Sequence, residues 1–302
     1  MSADTGALNR QFGIAGQVTF GDMPGGMTVI EVHNALADAT IALQGAHVMT
    51  WAPKGAHPVI WLSREAKLAP GKSIRGGVPV CWPWFGPHVT QPSFPGHGFA
   101  RTVSWEVVRT EAAADGSTQL GFRIVDSGIP RAQWPYRTEC QLSVSVGSAL
   151  TMNLTTRNLG TEDIMIGDAL HTYFEVGDVR RVAIHGLDGC SYLDKVDGGA
   201  RKRQCGPVTI ASEVDRIYLD SAADCEIEDP TLGRRIRISK RGSRSTVVWN
   251  PWVDKAAKMG DLGDEGYLNM VCVESANAAE DVVNVAAGDS HSLQAVYTVS
   301  AL

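Results

Sequence analysis

No apolar run in this 302-residue sequence approaches the roughly 18 residues that a membrane span requires. The opening MSADTGALNRQFG has no basic segment followed by an apolar one, so no secretory signal is expected and a cytoplasmic location is. Positive charge is in deficit, with 27 Lys and Arg against 33 Asp and Glu, which argues against a nucleic-acid binder. A small anion is still compatible with that balance, because a local pair of arginines can act inside an acidic chain. The six cysteines, Cys81, Cys140, Cys190, Cys205, Cys225 and Cys272, include no CxxC pair, which weakens zinc-ribbon and thioredoxin-like readings. A chain of this size needs no disulfide staples, and reduced thiols are expected.

Familiar chemical signatures are missing as well. There is no GxSxG elbow, no GxGxxG after a strand, no Walker loop and no HExxH. His171 and Glu175 are four residues apart, but on a strand they would lie roughly 13 Å apart along one face. No metal and no cofactor are therefore expected. Neither a Gly/Ser-rich linker nor a fixed-period repeat divides the chain, so residues 1–302 read as one domain and a monomer, with residues 1–12 as a loose arm.

A sustained helical period is absent too, and what replaces it is a succession of short strand-like runs. Gln141–Val146 and Leu150–Thr155 alternate strictly between apolar and polar residues, which puts one set on a core face and the other toward solvent. Gly147-Ser148 between them reads as a two-residue hairpin turn. Met27–Val32, Pro58–Leu62, Thr118–Val125, Ile164–Phe174, Arg235–Ser239, Leu268–Val273 and Leu293–Val299 extend the pattern. Many short strands broken by Gly and Pro predict an all-β sandwich or barrel.

One stretch fits neither helix nor strand. Ile74–Arg101 carries prolines at 79, 83, 87, 92 and 95, together with Trp82, Trp84, Phe85 and Phe94. This proline density rules out a helix and a central strand. Yet the segment is too apolar for a solvated linker. It reads as an ordered loop, rimmed by Arg75, His97 and Arg101, and long ordered loops are often functional. The plain alternative is a stiffened crossover whose arginines bond backbone carbonyls.

Elsewhere, ionisable residues sit inside apolar runs. His171 lies within Asp168-Ala169-Leu170-His171-Thr172-Tyr173-Phe174, and Glu274 ends Met270-Val271-Cys272-Val273-Glu274. A carboxylate ending an apolar strand needs a partner or an open cavity, since burying it unpaired is costly. A core histidine and a strand-end salt bridge are the ordinary readings. Taken together, these groups offer an acid, a base and two arginines suited to phosphate.

The blocks Arg75-Gly76-Gly77-Val78-Pro79-Val80-Cys81-Trp82-Pro83-Trp84-Phe85-Gly86 and His97-Gly98-Phe99-Ala100-Arg101 resemble the hexose-6-phosphate mutarotases, the glucose-6-phosphate 1-epimerases of the aldose 1-epimerase superfamily. Ala169–Phe174, Asp215–Tyr218, Val248–Trp252 and Cys272–Glu274 match further blocks in the same order. The resemblance implies a large antiparallel β-sandwich of the galactose mutarotase type. It implies a cofactor-independent exchange of α and β anomers of an aldohexose 6-phosphate, chiefly glucose 6-phosphate. It makes His171 the general acid and Glu274 the general base. His97 would line the sugar pocket, Asp215 would contact hydroxyls, and Arg75 and Arg101 would hold the substrate. Gly96 stands where relatives can carry a contacting side chain. The chemistry asks for Glu274 ionised and His171 at least partly protonated near neutral pH. A glycoside hydrolase, which usually uses two carboxylates, and a non-catalytic carbohydrate-binding module are the competing readings.

Overall fold

Short apolar runs of this kind bury their backbone polar groups by pairing with neighbours. In the computed structural model, which describes residues 3–302, they pair into antiparallel sheets. One eight-stranded sheet runs from edge to edge as Ala183–His185, Cys225–Asp229, Arg234–Arg241, Ser290–Ala301, Leu150–Asn158, Thr138–Val146, Thr118–Ile124 and Trp105–Ala112. The second eight-stranded sheet runs Ala200–Arg203, Ser191–Asp194, Val214–Tyr218, Ser245–Asn250, Met270–Asn277, Asp168–Leu170 and Val80–Cys81, and Tyr173–Glu175 also pairs with Met270–Asn277. A four-stranded meander spans Val18–Met23, Met27–His33, Ala37–Ala42 and His47–Pro53.

The two large sheets pack face to face as a β-sandwich. Leu142, Leu154, Ile236 and Leu293 from the first sheet join Leu170, Phe174, Val248 and Val273 from the second in one buried cluster. The alternation read in 141–146 and 150–155 is what places Leu142, Val144, Met152 and Leu154 there.

Several local expectations change. The register pairs Val146 with Leu150, so the hairpin turn has three residues, Gly147 to Ala149, and not two. Ile164–Phe174 divides into Ile164–Ile166, Asp168–Leu170 and Tyr173–Glu175. Pro58–Leu62 forms only isolated bridges, Ile60 to Phe174 and Leu62 to Gly76. Residues 1–12, read as a loose arm, contain a helix over Thr5–Phe12 capped by the Asp4 carboxylate; the first two residues lie outside the described range. Asn9 fastens that helix to the sheet by exchanging two hydrogen bonds with the Phe20 backbone. No residue of the helix is fully buried, and only Leu8 and Phe12, one turn apart, pack against the core, which is too short an apolar period to read.

Among the described residues, no helix is long and apolar enough to cross a membrane.

Candidate active site

The Met270–Asn277 strand lies in the middle of the second sheet, and all eight of its residues are buried. Its side chains alternate between two environments. Val271 and Val273 enter the inter-sheet core, while Met270 and Cys272 belong to a separate cluster with Trp61, Tyr173 and Trp249. Glu274 shares the face of Cys272. The sequence reading put Glu274 at the strand end, but the strand continues past it to Asn277. The carboxylate is therefore 1% exposed, and it sits on the floor of a cleft of about 670 Å³.

His171 occupies a break in the neighbouring strand. Leu170 pairs with Ser275 before the break and Tyr173 with Cys272 after it. Two residues intervene on each side, so His171 falls opposite Glu274 with the register preserved. The Thr172 N–H turns back to the Leu170 carbonyl at 2.9 Å, while the His171 and Tyr173 N–H groups, on the opposite edge, donate to the Pro79 and Gly77 carbonyls of the proline-rich segment. This leaves the imidazole on the cleft face, with Nε2 3.4 Å from Glu274 Oε1. Tyr173 stacks on His171 at 5.1 Å between ring centroids. His171 Nδ1 and Glu274 Oε2 are buried without a hydrogen-bond partner.

The Ile74–Arg101 segment forms one wall. Gly98 adopts φ +70, and a Cβ there would lie 1.9 Å from the Trp82 carbonyl oxygen, so only glycine fits. The next residue back, His97, also has positive φ, and its N–H donates to the Gly86 carbonyl at 2.8 Å. The Gly86 N–H points to His97 Nδ1 at a long 3.4 Å, which leaves Nε2 as the protonated nitrogen of the neutral ring. His97 lies edge-on to His171 at 5.7 Å. Of the loop aromatics, Phe85 lines the cleft, Trp82 is fully buried in the core, and Trp84 bonds the Pro95 carbonyl.

All six residues singled out from the sequence, Arg75, His97, Arg101, His171, Asp215 and Glu274, line this one cleft. The arginines also do part of what the plain alternative expected. Arg101 Nη2 donates to the Gly96 carbonyl at 2.8 Å. Arg75 donates through Nε to Asp261 at 3.1 Å and through Nη1 to the Tyr173 hydroxyl at 2.9 Å. Asp215 is half-buried, with Lys255 Nζ 3.9 Å away. Lys255 itself bonds Glu213 at 2.7 Å.

The electrostatics depart from the expected ionisation. Burial raises the Glu274 carboxyl well above its usual range, and Asp215 adds to the rise. Burial also lowers His171 well below the ordinary imidazole value, and the charges of Arg101 and Arg75 add to that fall. Without substrate, burial favours the neutral form of each side chain. Desolvation is the reason, and the sequence alone gave no measure of it. His97 is pushed down to about 3 by burial, then by Arg101 and Arg75, and is a neutral donor.

Tyr173, Trp249, Lys195, Lys255 and the Arg75 partner Asp261 were not singled out as site residues. Tyr173 carried a local signal, since it lies two residues from His171 in an extended segment. Asp261 carried none, because it meets Arg75 only through a contact 186 positions away.

With this geometry in place, likeness to known proteins becomes informative. Residues 28–298 match the family described as Aldose 1-epimerase. The chain belongs to the aldose 1-epimerase family. Among its relatives in that family, an Escherichia coli (strain K12) protein named "Putative glucose-6-phosphate 1-epimerase" is 37% identical over 255 residues, 84% of each chain. A Cenchrus ciliaris protein of the same name is 33% identical, over 83% of this chain and 78% of its own. The crystal structure of a "putative mutarotase (YeaD)" from Salmonella typhimurium superposes with a TM-score of 0.87 at 32% identity, covering 95% of this chain and 94% of that one. The β-sandwich described above is thus the fold of the mutarotase-like members of the aldose 1-epimerase family.

Proposed function

We propose that the protein interconverts the α and β anomers of aldohexose 6-phosphates, with glucose 6-phosphate as the chief substrate. The names carried by its relatives support the substrate. The observation that carries the chemistry is the 3.4 Å approach of His171 Nε2 to Glu274 Oε1 on a cleft floor. Opening a pyranose ring requires a proton to leave O1 and another to reach O5. Both oxygens are bonded to C1, so the base and acid that serve them must stand side by side.

In this reading sugar binding brings the pair to its charged form, with Glu274 ionised and His171 protonated. Glu274 as carboxylate takes the O1 proton while the His171 imidazolium protonates O5. The C1–O5 bond breaks and the C1 carbonyl forms. Rotation about C1–C2 presents the other carbonyl face, and closure runs the same transfers backward. Each step conserves charge over sugar, acid and base together. The unpartnered Glu274 Oε2 is an acceptor that the anomeric hydroxyl would satisfy.

The phosphate has a place in this pose. C6 branches from C5, which is bonded to O5, so the phosphate lies on the acid's side of the ring. Arg75 and Arg101 are the cations whose charges reach His171 and His97. They are the assigned phosphate ligands, with His97 donating to the sugar and Asp215 accepting from hydroxyls toward the far side of the cleft.

Magnetisation-exchange NMR on α- and β-glucose 6-phosphate tests the proposal, with glucose and galactose run beside it. Exchange accelerated by catalytic amounts of protein is expected. An exchange rate equal to the spontaneous one for every sugar would overturn it.

A further inference from the structure

We propose that Cys272, His171 and Glu274 form a binding site for a thiophilic divalent cation, such as Zn²⁺, and that the cation reversibly shuts off the cleft. The donor set is one sulfur, one imidazole nitrogen and one carboxylate, the three ligand types that zinc accepts. Their ligand atoms all lie within 4.8 Å of one another.

The strand geometry makes this closeness persistent. Cys272 and Glu274 are two residues apart on one buried strand, so their side chains leave the same face. His171 stands opposite Glu274, and Tyr173 pairs directly opposite Cys272. Around a tetrahedral zinc with bonds of about 2.0–2.3 Å, ligand atoms are separated by roughly 3.5 Å. The His171–Glu274 contact of 3.4 Å already meets that spacing, and the Cys272 sulfur lies within 4.8 Å of both.

A second, independent observation points to a ligand here. Glu274 is 1% exposed and its Oε2 has no hydrogen-bond partner, so the site holds an unsatisfied buried acceptor. The fourth tetrahedral position faces the cleft. Hard cations such as Mg²⁺ prefer all-oxygen ligands and should not compete. The bound cation would hold both proton-transfer groups, which makes occupancy and sugar turnover mutually exclusive.

The decisive experiment is a Co²⁺ titration of the full chain followed by absorption, which does not depend on the epimerase reading. Wild type should develop tetrahedral d–d bands and a sulfur-to-cobalt charge-transfer band in the near ultraviolet, and both should be displaced by Zn²⁺. The charge-transfer band should vanish in Cys272→Ser and in Cys272→Ala, each checked for folding by its thermal melt. In anomer exchange, Zn²⁺ should inhibit wild type, and the half-inhibiting concentration should rise at least about tenfold in Cys272→Ser. A cobalt spectrum without the sulfur band, a band that survives in both variants, or equal zinc sensitivity of wild type and Cys272→Ser would each sink the proposal.

Discussion

His171 lies opposite Glu274 at an interrupted rung of an otherwise continuous antiparallel ladder, with Nε2 and Oε1 3.4 Å apart. At the interruption the Thr172 N–H turns back to the Leu170 carbonyl, the His171 and Tyr173 N–H groups hold the proline-rich segment on the opposite edge, and the register survives on both sides. The backbone therefore fixes the spacing of the two groups independently of any substrate. Pre-positioning of this kind removes a reorganisation cost from the reaction.

If the pair performs the proton transfers, each member is separately indispensable. Glu274→Gln keeps shape and volume but cannot accept the O1 proton, and His171→Asn cannot protonate O5. Each should lower kcat for glucose 6-phosphate by about 10²–10⁴-fold. Thermal melts should stay within a few degrees of wild type. Anomer exchange measured by NMR checks both, and wild-type turnover by either variant would remove that residue from its role.

The same pair leaves a mark on stability. Glu274 is raised in the folded state from an unfolded value near 4.5, and His171 is lowered from one near 6.5. Between those two values the two opposite shifts offset each other, so the pair itself adds little pH dependence. Above 6.5 the unfolded pair loses its proton while the folded pair keeps it, so stability falls as pH rises. Below 4.5 the unfolded pair gains a second proton and stability falls again. Asp168, buried without a partner and pushed up from 3.8 to about 8, lowers stability as pH rises between those values and so adds to the decline only up to about pH 8. Glu274→Gln should therefore lessen the decline in Tm between pH 7 and 9 without abolishing it. An unchanged slope would mean that Glu274 is ionised in the free protein.

Arg75 and Arg101 oppose the charging of His171, and a bound phosphate dianion would offset both. The 6-phosphate would then help the imidazolium form as well as add affinity. Unphosphorylated glucose should accordingly show a lower kcat as well as a higher KM, and inorganic phosphite added as a separate dianion should raise kcat for glucose. Arg101→Ala should weaken the hexose phosphate by about 10–100-fold, the cost of one or two charge-assisted contacts, and should abolish the phosphite effect. Equal losses for glucose and glucose 6-phosphate in Arg101→Ala would show that this residue does not read phosphate.

Which parts of this were legible in the sequence follows from where the information lies. Strands with one wet face, such as Leu150–Asn158, announce themselves by alternation. Met270–Asn277 is covered on both faces, so it does not alternate, and the polar Glu274-Ser275 after Met270–Val273 reads as its end although the strand runs on to Asn277. The break at His171 left no signal, because the Gly77 and Pro79 carbonyls that anchor the His171 and Tyr173 N–H groups on the opposite edge are neighbours only in the folded chain. The glycines beside Arg75 and His97 were visible, but the need for them was not. A side chain at Gly77 would strike His47 and the Val48 carbonyl, which are neighbours only in the folded chain. The ordered blocks brought the six site residues into one hypothesis, while their ionisation depended on burial that only the packed sheets define.

Asp261 offers a test of positioning as distinct from contact. It does not line the cleft, yet it holds Arg75 Nε at 3.1 Å while the Tyr173 hydroxyl holds Nη1 at 2.9 Å. With two edges of the guanidinium fixed, Nη2 is the group left to meet substrate, and the planar fork cannot swing away. Tyr173 also stacks on His171, so one side chain braces both Arg75 and His171. Asp261→Asn keeps a hydrogen-bond acceptor but removes the charge, and it should raise KM for glucose 6-phosphate several-fold with little change in kcat. Asp261→Ala frees the guanidinium and should raise KM further, while Asp261→Glu should restore part of the loss. Tyr173→Phe removes only the hydroxyl and keeps the stacked ring, so it too should act on KM for the phosphorylated sugar and spare free glucose. A fall in kcat for both sugars in Asp261→Ala, with KM unmoved, would mean that Asp261 supports the cleft as a whole and does not aim Arg75.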